Sequence, residues 1–266
     1  MALSTEMRVQ YSAVESSASG LSVGRVEIWP PGRISGREAN DLIVNSGFDI
    51  TIVRAGVEDV RLAAQLGVEN FTSFQADTLL YFEISIEDLE DKVISSDLKR
   101  LTREDRLLTD SLVKNIFSGY QNHYSANPAL VDIDVVAAYQ QWTRSSLDLS
   151  NRVAYLFAVP DSNPCGLCVV DVEHPFFDEI ILAGILPEQQ GRGRYSNMVQ
   201  EVIRRARRSG KQSLVISTQA ANVKVMRSWC RMGFLPTIAL NTFHVVRKEI
   251  LEMSLRDLFN SLGTER

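Results

Sequence analysis

A strand, a glycine-rich turn and a helix follow one another near residue 190, and this succession constrains the fold most. An apolar strand over 179–185 leads into Gln190-Gly191-Arg192-Gly193-Arg194, and an amphipathic helix follows from about Ser196. Such a turn leaves unpaired N–H groups at the start of the helix, where the helix dipole adds positive potential. Glycine allows a ligand to approach the backbone closely, and the two arginines add charge. We therefore predict a phosphate-binding site at this turn.

The periodicity around the turn predicts a mixed sheet. Strands at 153–159, 166–172 and 179–185 are separated by short turns, which is typical of an antiparallel meander. Beyond the turn, a helix precedes a short strand at 213–217, and this order requires a right-handed crossover with parallel pairing. We therefore predict an α/β (α+β) protein with a mixed, mostly antiparallel central sheet flanked by helices.

A smaller α/β layer is predicted before this region. A strand at 50–54, a helix at 57–66 and a strand at 78–84 follow one another there. We predict a small N-terminal α/β domain over 1–97, the domain that carries the turn over 98–250, and a C-terminal helix or tail over 251–266. The first residues, to about residue 20, are rich in Ser and Ala, and we expect them to be disordered.

Charge and cysteine content argue against several classes of protein. The net charge of -5 is opposite to that expected of a nucleic-acid binder, and no apolar run is long enough for a membrane span. Three cysteines do not suit a disulfide scaffold, so we expect a cytoplasmic protein. Cys165 and Cys168 have metal-like spacing, but they open a strand and no second cysteine pair follows, so we expect no metal site.

The glycine-rich turn and a later block resemble those of GNAT-type, acyl-CoA-dependent N-acyltransferases. Gln190, Gly193 and Tyr195 fall on the family motif Gln/Arg-x-x-Gly-x-Gly/Ala, with Tyr195 in place of the last small residue. Downstream, Asn222 and Gly233-Phe234 are similar to the family's second CoA-side segment. The resemblance covers about residues 100–248 and implies the GNAT fold, with acetyl-CoA as co-substrate. It implies cofactor contacts at Ile185, Gln190, Gly191, Arg192, Gly193, Arg194, Tyr195, Ser196 and Asn222, where the backbone of Ile185 would pair with the pantetheine arm.

The acceptor follows from a looser resemblance. Thr242-Phe243-His244 and the N-terminal layer are similar to acetyltransferases for nucleotide-linked amino sugars of the dTDP-fucosamine type. This implies N-acetylation of such a sugar by direct attack of its primary amine. The alternatives are another small amine, such as an amino acid, a polyamine or an antibiotic, and a non-catalytic CoA-binding module. We expect a monomer or homodimer without nucleic-acid or membrane partners.

Proton transfer has no obvious carrier in this sequence. Many members of the family use a Tyr as acid at the position of Trp229, whose indole does not titrate usefully. We predict His244 and Glu179 as catalytic candidates, with a half-buried structural His and a salt-bridged strand end as the alternatives. His123, Tyr124 and Asn127 lie in a loop that, by the resemblance, borders the acceptor pocket. They are predicted to bind the acceptor, unless the loop is merely packed by its own aromatic side chains.

Overall fold

The chain divides into two compact units in the computed structural model, which describes residues 8–86, 97–120, 122–159 and 164–263, with side chains to 260. The first unit comprises Met1–Leu79, Gln121–Asp134 and Ile238–Arg266, and the second comprises Leu80–Tyr120 and Val135–Thr237. This division differs from the predicted segments 1–97, 98–250 and 251–266. It differs because two long strands contribute residues to both units, so neither unit is continuous in sequence.

The first unit is built on a small sheet with helices. Its elements are β1 (Gln10–Tyr11), α1 (Ala13–Ser19), β2 (Val23–Ile28), α2 (Gly36–Ser46), β3 (Ile50–Gly56), α3 (Leu62–Gln65), the first part of β4 (Phe71–Ser85), most of β10 (Leu235–Arg247), and α8 (Lys248–Gly263). Strands β2 and β3 are parallel, and β3 pairs antiparallel with β10. The α1 helix lies where disorder was expected, while residues 1–7 fall outside the described residues.

The two faces of the first unit's sheet differ in chemistry. Side chains alternate along β10, so that Phe243 and Val245 join an apolar cluster with Val53 of β3 and Ile43 of α2. Thr242 and His244, which alternate with these apolar residues along the strand, point to the other face. There the register aligns three residues across β2, β3 and β10 in each of two rows: Arg25, Ile52 and His244, and Glu27, Arg54 and Thr242. One face is therefore a core and the other is polar.

The second unit contains the predicted meander and crossover. Its elements are the end of β4, β5 (Asp97–Arg100), α4 (Arg106–Phe117), α5 (Val135–Ser146), β6 (Arg152–Ala158), β7 (Gly166–Asp171), β8 (Phe177–Ile185), α6 (Arg194–Arg208), β9 (Ser213–Gln219), α7 (Val223–Met232), and the start of β10. Strands β5 to β8 pair antiparallel in sequence order, and β8 pairs parallel with β9. The predicted mixed, mostly antiparallel sheet flanked by helices is confirmed.

Alternating side chains place a core on each face of this sheet. On β7, Leu167 and Val169 pack into a cluster with residues of α4, whereas Cys168 and Val170 pack into a cluster with residues of α6 and with Trp229 of α7. Helices therefore cover both faces of the sheet, and the strand ends carry the groups that remain accessible.

A bulge near the middle of β8 separates it from β9. The register of β7 against β8 shifts between Val169 and Val170, so that Ile181 has no partner in β7. The parallel pairing of β8 with β9 covers only Phe177–Ile180 and ends there. A bulge bends a strand locally, so the two parallel strands diverge beyond it. The second half of β8 is consequently not paired with β9 where the strand runs towards the glycine-rich turn.

None of the helices within the described ranges combines the length and apolar character needed to cross a membrane.

Candidate functional site

The glycine-rich turn connects β8 to α6 and exposes its backbone. Gly191 and Gly193 have φ angles of 76° and 72°, in the left-handed region that favours glycine. Gly193 is the N-cap residue of α6, which no side chain caps. The backbone N–H groups from Gly191 to Ser196 donate to no group in the described part of the chain. These six consecutive N–H groups form a concave donor surface of the kind that binds phosphate.

Space and charge at the turn also suit an anion. A Cβ atom added at Gly191 or Gly193 would meet nothing within 4 Å, so the region above the turn is open. Arg192 is exposed, and Arg194 lies at the first position of α6 with Nη1 3.5 Å from Cys165 Sγ. The dipole of the 15-residue helix α6 adds positive potential at the same end. The turn therefore combines backbone donors, positive charge and open space, which suit a phosphate group.

Two of the predicted cofactor residues hold each other. The Gln190 side-chain amide donates a hydrogen bond of 3.1 Å to the Ile185 carbonyl, which fixes the start of the turn to the end of β8. A ligand that pairs with the backbone of Ile185 would have to displace this amide or use the N–H group. The divergence of β9 leaves this half of β8 open to an amide-containing ligand, which could add to the strand edge through backbone hydrogen bonds.

Asn222 and Ser196 lie where α6 meets α7. Asn222 occupies the N-cap position of α7, but its side chain makes no capping hydrogen bond. Instead its Nδ2 donates to Thr218 Oγ1 over 3.1 Å, so the amide is held against the end of β9. The hydroxyl oxygens of Ser196 and Ser228 are 3.1 Å apart, which joins the first turn of α6 to α7. One bond therefore ties the start of α7 to β9, and the other ties the start of α6 to the middle of α7.

Tyr195 departs from the motif for a visible reason. Its hydroxyl accepts a hydrogen bond of 3.1 Å from Trp229 Nε1, so the ring points into the helix pair while the N–H group stays in the turn. Burial raises the pKa of the Tyr195 hydroxyl, and it is therefore protonated at neutral pH. Trp229 is buried at 1% exposure and stacks edge-on against Phe82, which makes it a core residue. The unusual Tyr195 and Trp229 are thus one interacting pair.

Glu179 is not brought to the turn. It lies near the start of β8, opposite Asp171 of β7 and Val215 of β9, and it is half-buried. Six residues of strand separate it from Ile185, which corresponds to about 20 Å. Its predicted catalytic role finds no support in this placement.

The cysteines are free thiols. Cys165 and Cys168 are buried, and burial raises the pKa of the Cys168 thiol to about 12, so it remains protonated. Within the described ranges no group of three or more His, Cys, Asp or Glu side chains is arranged to hold a metal ion.

A second constellation lies within the first unit and joins residues that the sequence suggested separately. His123 Nδ1 is 2.9 Å from His244 Nε2, and Asn127 Nδ2 is 3.1 Å from His244 Nδ1. The ring of Phe74 lies 5.8 Å from that of His244, and the ring of Tyr124 lies 4.2 Å from that of His123. We call His123, Asn127 and His244 the histidine cluster. It rests on the polar face of the sheet.

An ion pair adjoins the histidine cluster. The hydroxyl of Tyr124 donates to Glu15 Oε1 over 2.8 Å, and Glu15 also accepts from Ser12 and from the Arg25 guanidinium. Burial alone would raise the pKa of Glu15, but Arg25 and the two hydroxyl donors lower it below its usual value. Glu15 and Arg25 were not anticipated from the sequence. Glu15 lies in a segment expected to be disordered, and no local pattern marks a partner so far along the chain.

The electrostatics of the histidine cluster favour neutral imidazoles. Burial, together with Arg25 and Arg54, lowers the pKa of His244 to about 3, and Glu15 opposes this only in part. Burial, His244, Arg54 and Arg25 likewise hold the pKa of His123 well below its usual value. His244 is fully buried, and both of its ring nitrogens are engaged. Because both ring nitrogens already have side-chain partners, His244 has no ring nitrogen left for a substrate in this arrangement, and its catalytic role stays a prediction.

Comparisons with known proteins agree with the geometry of the turn. Residues 120–234 match the model of the acetyltransferase (GNAT) family, a segment that includes the whole turn and both following helices. The match covers somewhat less than half of the chain. No curated protein is similar enough in sequence to count as a relative.

Solved structures share the fold at low sequence identity. A conserved protein of unknown function from Staphylococcus epidermidis has a TM-score of 0.59 at 14% identity, over 92% of this chain and 93% of that one. A GCN5-related N-acetyltransferase from Kribbella flavida has a TM-score of 0.54 at 12% identity, over 85% and 81%. A tandem GNAT protein from the clavulanic acid pathway has a TM-score of 0.51 at 11% identity, over 85% and 75%. The chain therefore has the fold of these structures, and its segment 120–234 is similar to the GNAT acetyltransferase family.

Proposed function

We propose that the protein transfers the acetyl group of acetyl-CoA to the primary amine of a small molecule. The observation that carries the proposal is the row of six unpaired N–H groups from Gly191 to Ser196. Backbone donors at a helix start hold phosphate oxygens without a titrating side chain, so binding would vary little with pH. Arg192 and Arg194 would add charge at the same place, and the open edge of β8 would receive the amides of the pantetheine arm.

The chemistry asks little of titrating side chains. The neutral amine attacks the thioester carbonyl, a C–N bond forms, the C–S bond breaks, and the amine loses a proton. The leaving thiolate belongs to a class of groups with a pKa of about 8.5, so solvent can supply its proton. Lysine-like amines have a pKa of about 10.4, so the reactive neutral fraction rises with pH. We therefore expect turnover to increase with pH above neutrality, and we expect no inflection in the pH profile from titration of His244.

For the acceptor, we propose a nucleotide-linked amino sugar. The resemblance of Thr242-Phe243-His244 to acetyltransferases of that type supports this choice. His123, Tyr124 and Asn127 remain our proposal for acceptor-binding residues. The second candidate is another small amine, and the third is a CoA-binding module without turnover, which the non-titrating Trp229 would favour.

Free-thiol release in the presence of acetyl-CoA and a panel of amines tests the proposal. The panel should contain thymidine- and uridine-diphospho amino sugars, amino acids, polyamines and aminoglycosides. Thiol release that is fastest with the nucleotide sugars is the expected result. Release only with another amine would replace the proposed acceptor. Binding of acetyl-CoA without release on any amine would contradict the enzymatic proposal and favour the binding module.

A further inference from the structure

The histidine cluster is a hydrogen-bonded chain whose direction can be deduced. At its fixed end, Asn127 Oδ1 accepts a hydrogen bond of 3.0 Å from the Ala129 backbone N–H. A backbone N–H group can only donate, so the atom facing it must be the amide oxygen. Asn127 Nδ2 therefore faces His244, and it can only donate. This single backbone contact settles the orientation of the amide.

The direction then passes along the two rings. His244 Nδ1 must accept from Asn127, so the neutral imidazole carries its proton on Nε2. That Nε2–H lies 2.9 Å from His123 Nδ1, which must accept it. A neutral His123 consequently also carries its proton on Nε2. An imidazolium at His244 would set its Nδ1–H group against the N–H of Asn127. This disfavours the charged form, and it also prevents the hydrogen bonds of the cluster from running in the opposite direction.

We propose that Asn127 is a positioning residue that fixes the direction of hydrogen bonding through His244, so that His123 offers an N–H donor at Nε2. Any group that faces His123 Nε2 must then accept a hydrogen bond. The part that concerns a ligand rests on the proposed function. It implies that an acceptor group facing His123 Nε2 would be a hydrogen-bond acceptor, such as a hydroxyl, carbonyl or phosphoryl oxygen. It excludes the acceptor's ammonium group, which only donates, and it excludes His123 as the base that deprotonates the amine.

The charged groups around the histidine cluster keep its imidazole rings neutral. Arg25 of β2 and Arg54 of β3 share the polar sheet face with His244, and both oppose its protonation. Glu15 of α1 and Glu27 of β2 are tied to these arginines by ion pairs, and Tyr124 donates to Glu15. Both carboxylates are therefore engaged with arginine guanidinium groups.

Nitrogen NMR of ¹⁵N-histidine-labelled protein tests the direction. The chain has three histidines, and the exposed His174 serves as an internal reference. Protonated and unprotonated ring nitrogens have well-separated shifts, so each tautomer can be identified once single His→Gln variants assign the signals. The expected result is a proton on Nε2 of both His244 and His123 from pH 5.5 to 8. A wild-type His244 that carries its proton on Nδ1 would overturn the proposal.

The variant Asn127→Asp tests the positioning role. A carboxylate keeps the contact to the Ala129 N–H and turns the other oxygen, an acceptor, towards His244. The proton should then be found on Nδ1 of His244. Asn122→Asp is the matched control, because Asn122 Oδ1 also accepts a backbone N–H, from Tyr124, and its amide makes no contact with either histidine. An Asn127→Asp protein that keeps His244 protonated on Nε2 alone would refute the role.

A kinetic experiment tests whether the direction of hydrogen bonding in the histidine cluster affects catalysis. With an amine found to be a substrate, the wild-type pH profile of kcat/KM should lack a histidine limb between pH 5.5 and 8. Asn127→Asp should acquire one, because its aspartate favours a protonated His244. A histidine limb in the wild type would contradict the donor role of His123. The NMR measurements need no turnover. A protein that does not transfer acetyl groups and a protein whose histidines carry their protons on other nitrogens would therefore give different results.

Discussion

The glycine-rich turn and the histidine cluster use hydrogen bonding in opposite ways. From Gly191 to Ser196 the donors are backbone groups that stay unpaired at a helix start, where the first three residues are exposed and the next three are half-buried. In the cluster, the ring nitrogens of His244 are both bonded and the ring is fully buried. Unpaired, exposed donors contribute to ligand affinity, whereas closed, buried bonds contribute to stability and order. Substitutions in the two places should therefore change different measured quantities.

The largest expected effect is a loss of stability in His244→Leu. Leucine removes both hydrogen bonds, those that join His244 to Asn127 Nδ2 and to His123 Nδ1, at a fully buried position. Each unsatisfied buried group costs about 1–3 kcal/mol, so we expect the free energy of unfolding to fall by about 3 kcal/mol. Urea denaturation measures it. His174→Leu is the matched control, and as a surface change it should shift stability by about 0.5 kcal/mol or less. Equal losses in the two variants would show that the cluster is not a stabilising network.

A somewhat smaller effect is expected at Tyr195, where an unpaired backbone donor and a buried side-chain hydrogen bond occur in one residue. The N–H group of Tyr195 belongs to the turn, whereas its hydroxyl is held by Trp229 Nε1. Tyr195→Phe leaves that indole N–H buried and unpaired, at a cost of about 2 kcal/mol. Affinity for acetyl-CoA should stay within about twofold, since the backbone donors remain. Calorimetric binding and urea denaturation on the same samples separate the two effects, and a large loss of affinity at unchanged stability would contradict this division.

Acid should destabilise the cluster with a definite sign. The pKa of His244 in the folded protein is about 3, below its value of 6.5 in the unfolded chain. The unfolded chain therefore binds more protons between these values, and stability falls as pH drops below about 6.5. Each histidine contributes about 1 kcal/mol per pH unit to that slope. Glu15 adds a loss of the same sign further into acid, as pH falls below its usual pKa of 4.5, because its pKa is lowered in the folded protein.

The variant His244→Gln separates the histidine part of this slope. Its free energy of unfolding should fall less steeply between pH 6 and pH 5 than that of the wild type, by about 1 kcal/mol over the interval. His174→Gln should keep the wild-type slope. Parallel curves for wild type and His244→Gln would show that the buried ring titrates normally in the folded protein.

The smallest expected effect concerns charge at the turn. Arg192 is exposed, so Arg192→Ala should weaken acetyl-CoA binding by about 0.5–1 kcal/mol at low salt, and less at high salt. Arg208→Ala removes the same charge from the exposed last turn of α6 and should change the affinity less. Equal effects of the two variants would indicate a general attraction by the helix instead of a contact at the turn.

The turn could be predicted from sequence because all of its parts are local. Strand, glycines and helix lie within one short stretch, and the structure has a turn there with left-handed φ angles at Gly191 and Gly193. The mixed sheet followed from alternation and short turns. In the first unit, β2 and α2 were missed, although Ser35 and Glu38 form a capping box that marks the start of α2. The short α3 occupies only Leu62–Gln65 of the helix predicted over 57–66.

The histidine cluster could not be predicted because its contacts are long-range. His123 and His244 were each named as candidates, but 121 residues separate them, and no periodicity reports their contact. The same holds for Tyr124 and Glu15, which are 109 residues apart. The direction of hydrogen bonding in the cluster depends on one backbone contact, from the Ala129 N–H to Asn127, which only the three-dimensional structure reveals. Local backbone sites are therefore readable from a single sequence, and side-chain networks that close across the sheet are not.

The most direct test of the central claim is calorimetric titration of acetyl-CoA into wild type, Gly193→Ala and Gly210→Ala. Gly193 and Gly210 both have left-handed φ angles, 72° and 77°, with open space around a Cβ atom, but Gly210 lies beyond the other end of α6. Alanine should strain both positions alike, while only Gly193→Ala places a methyl group where the phosphate would lie. The account predicts that Gly193→Ala weakens binding about tenfold or more and that Gly210→Ala stays near wild type. Equal affinities in the two variants, or no binding by the wild type at millimolar acetyl-CoA, would contradict it.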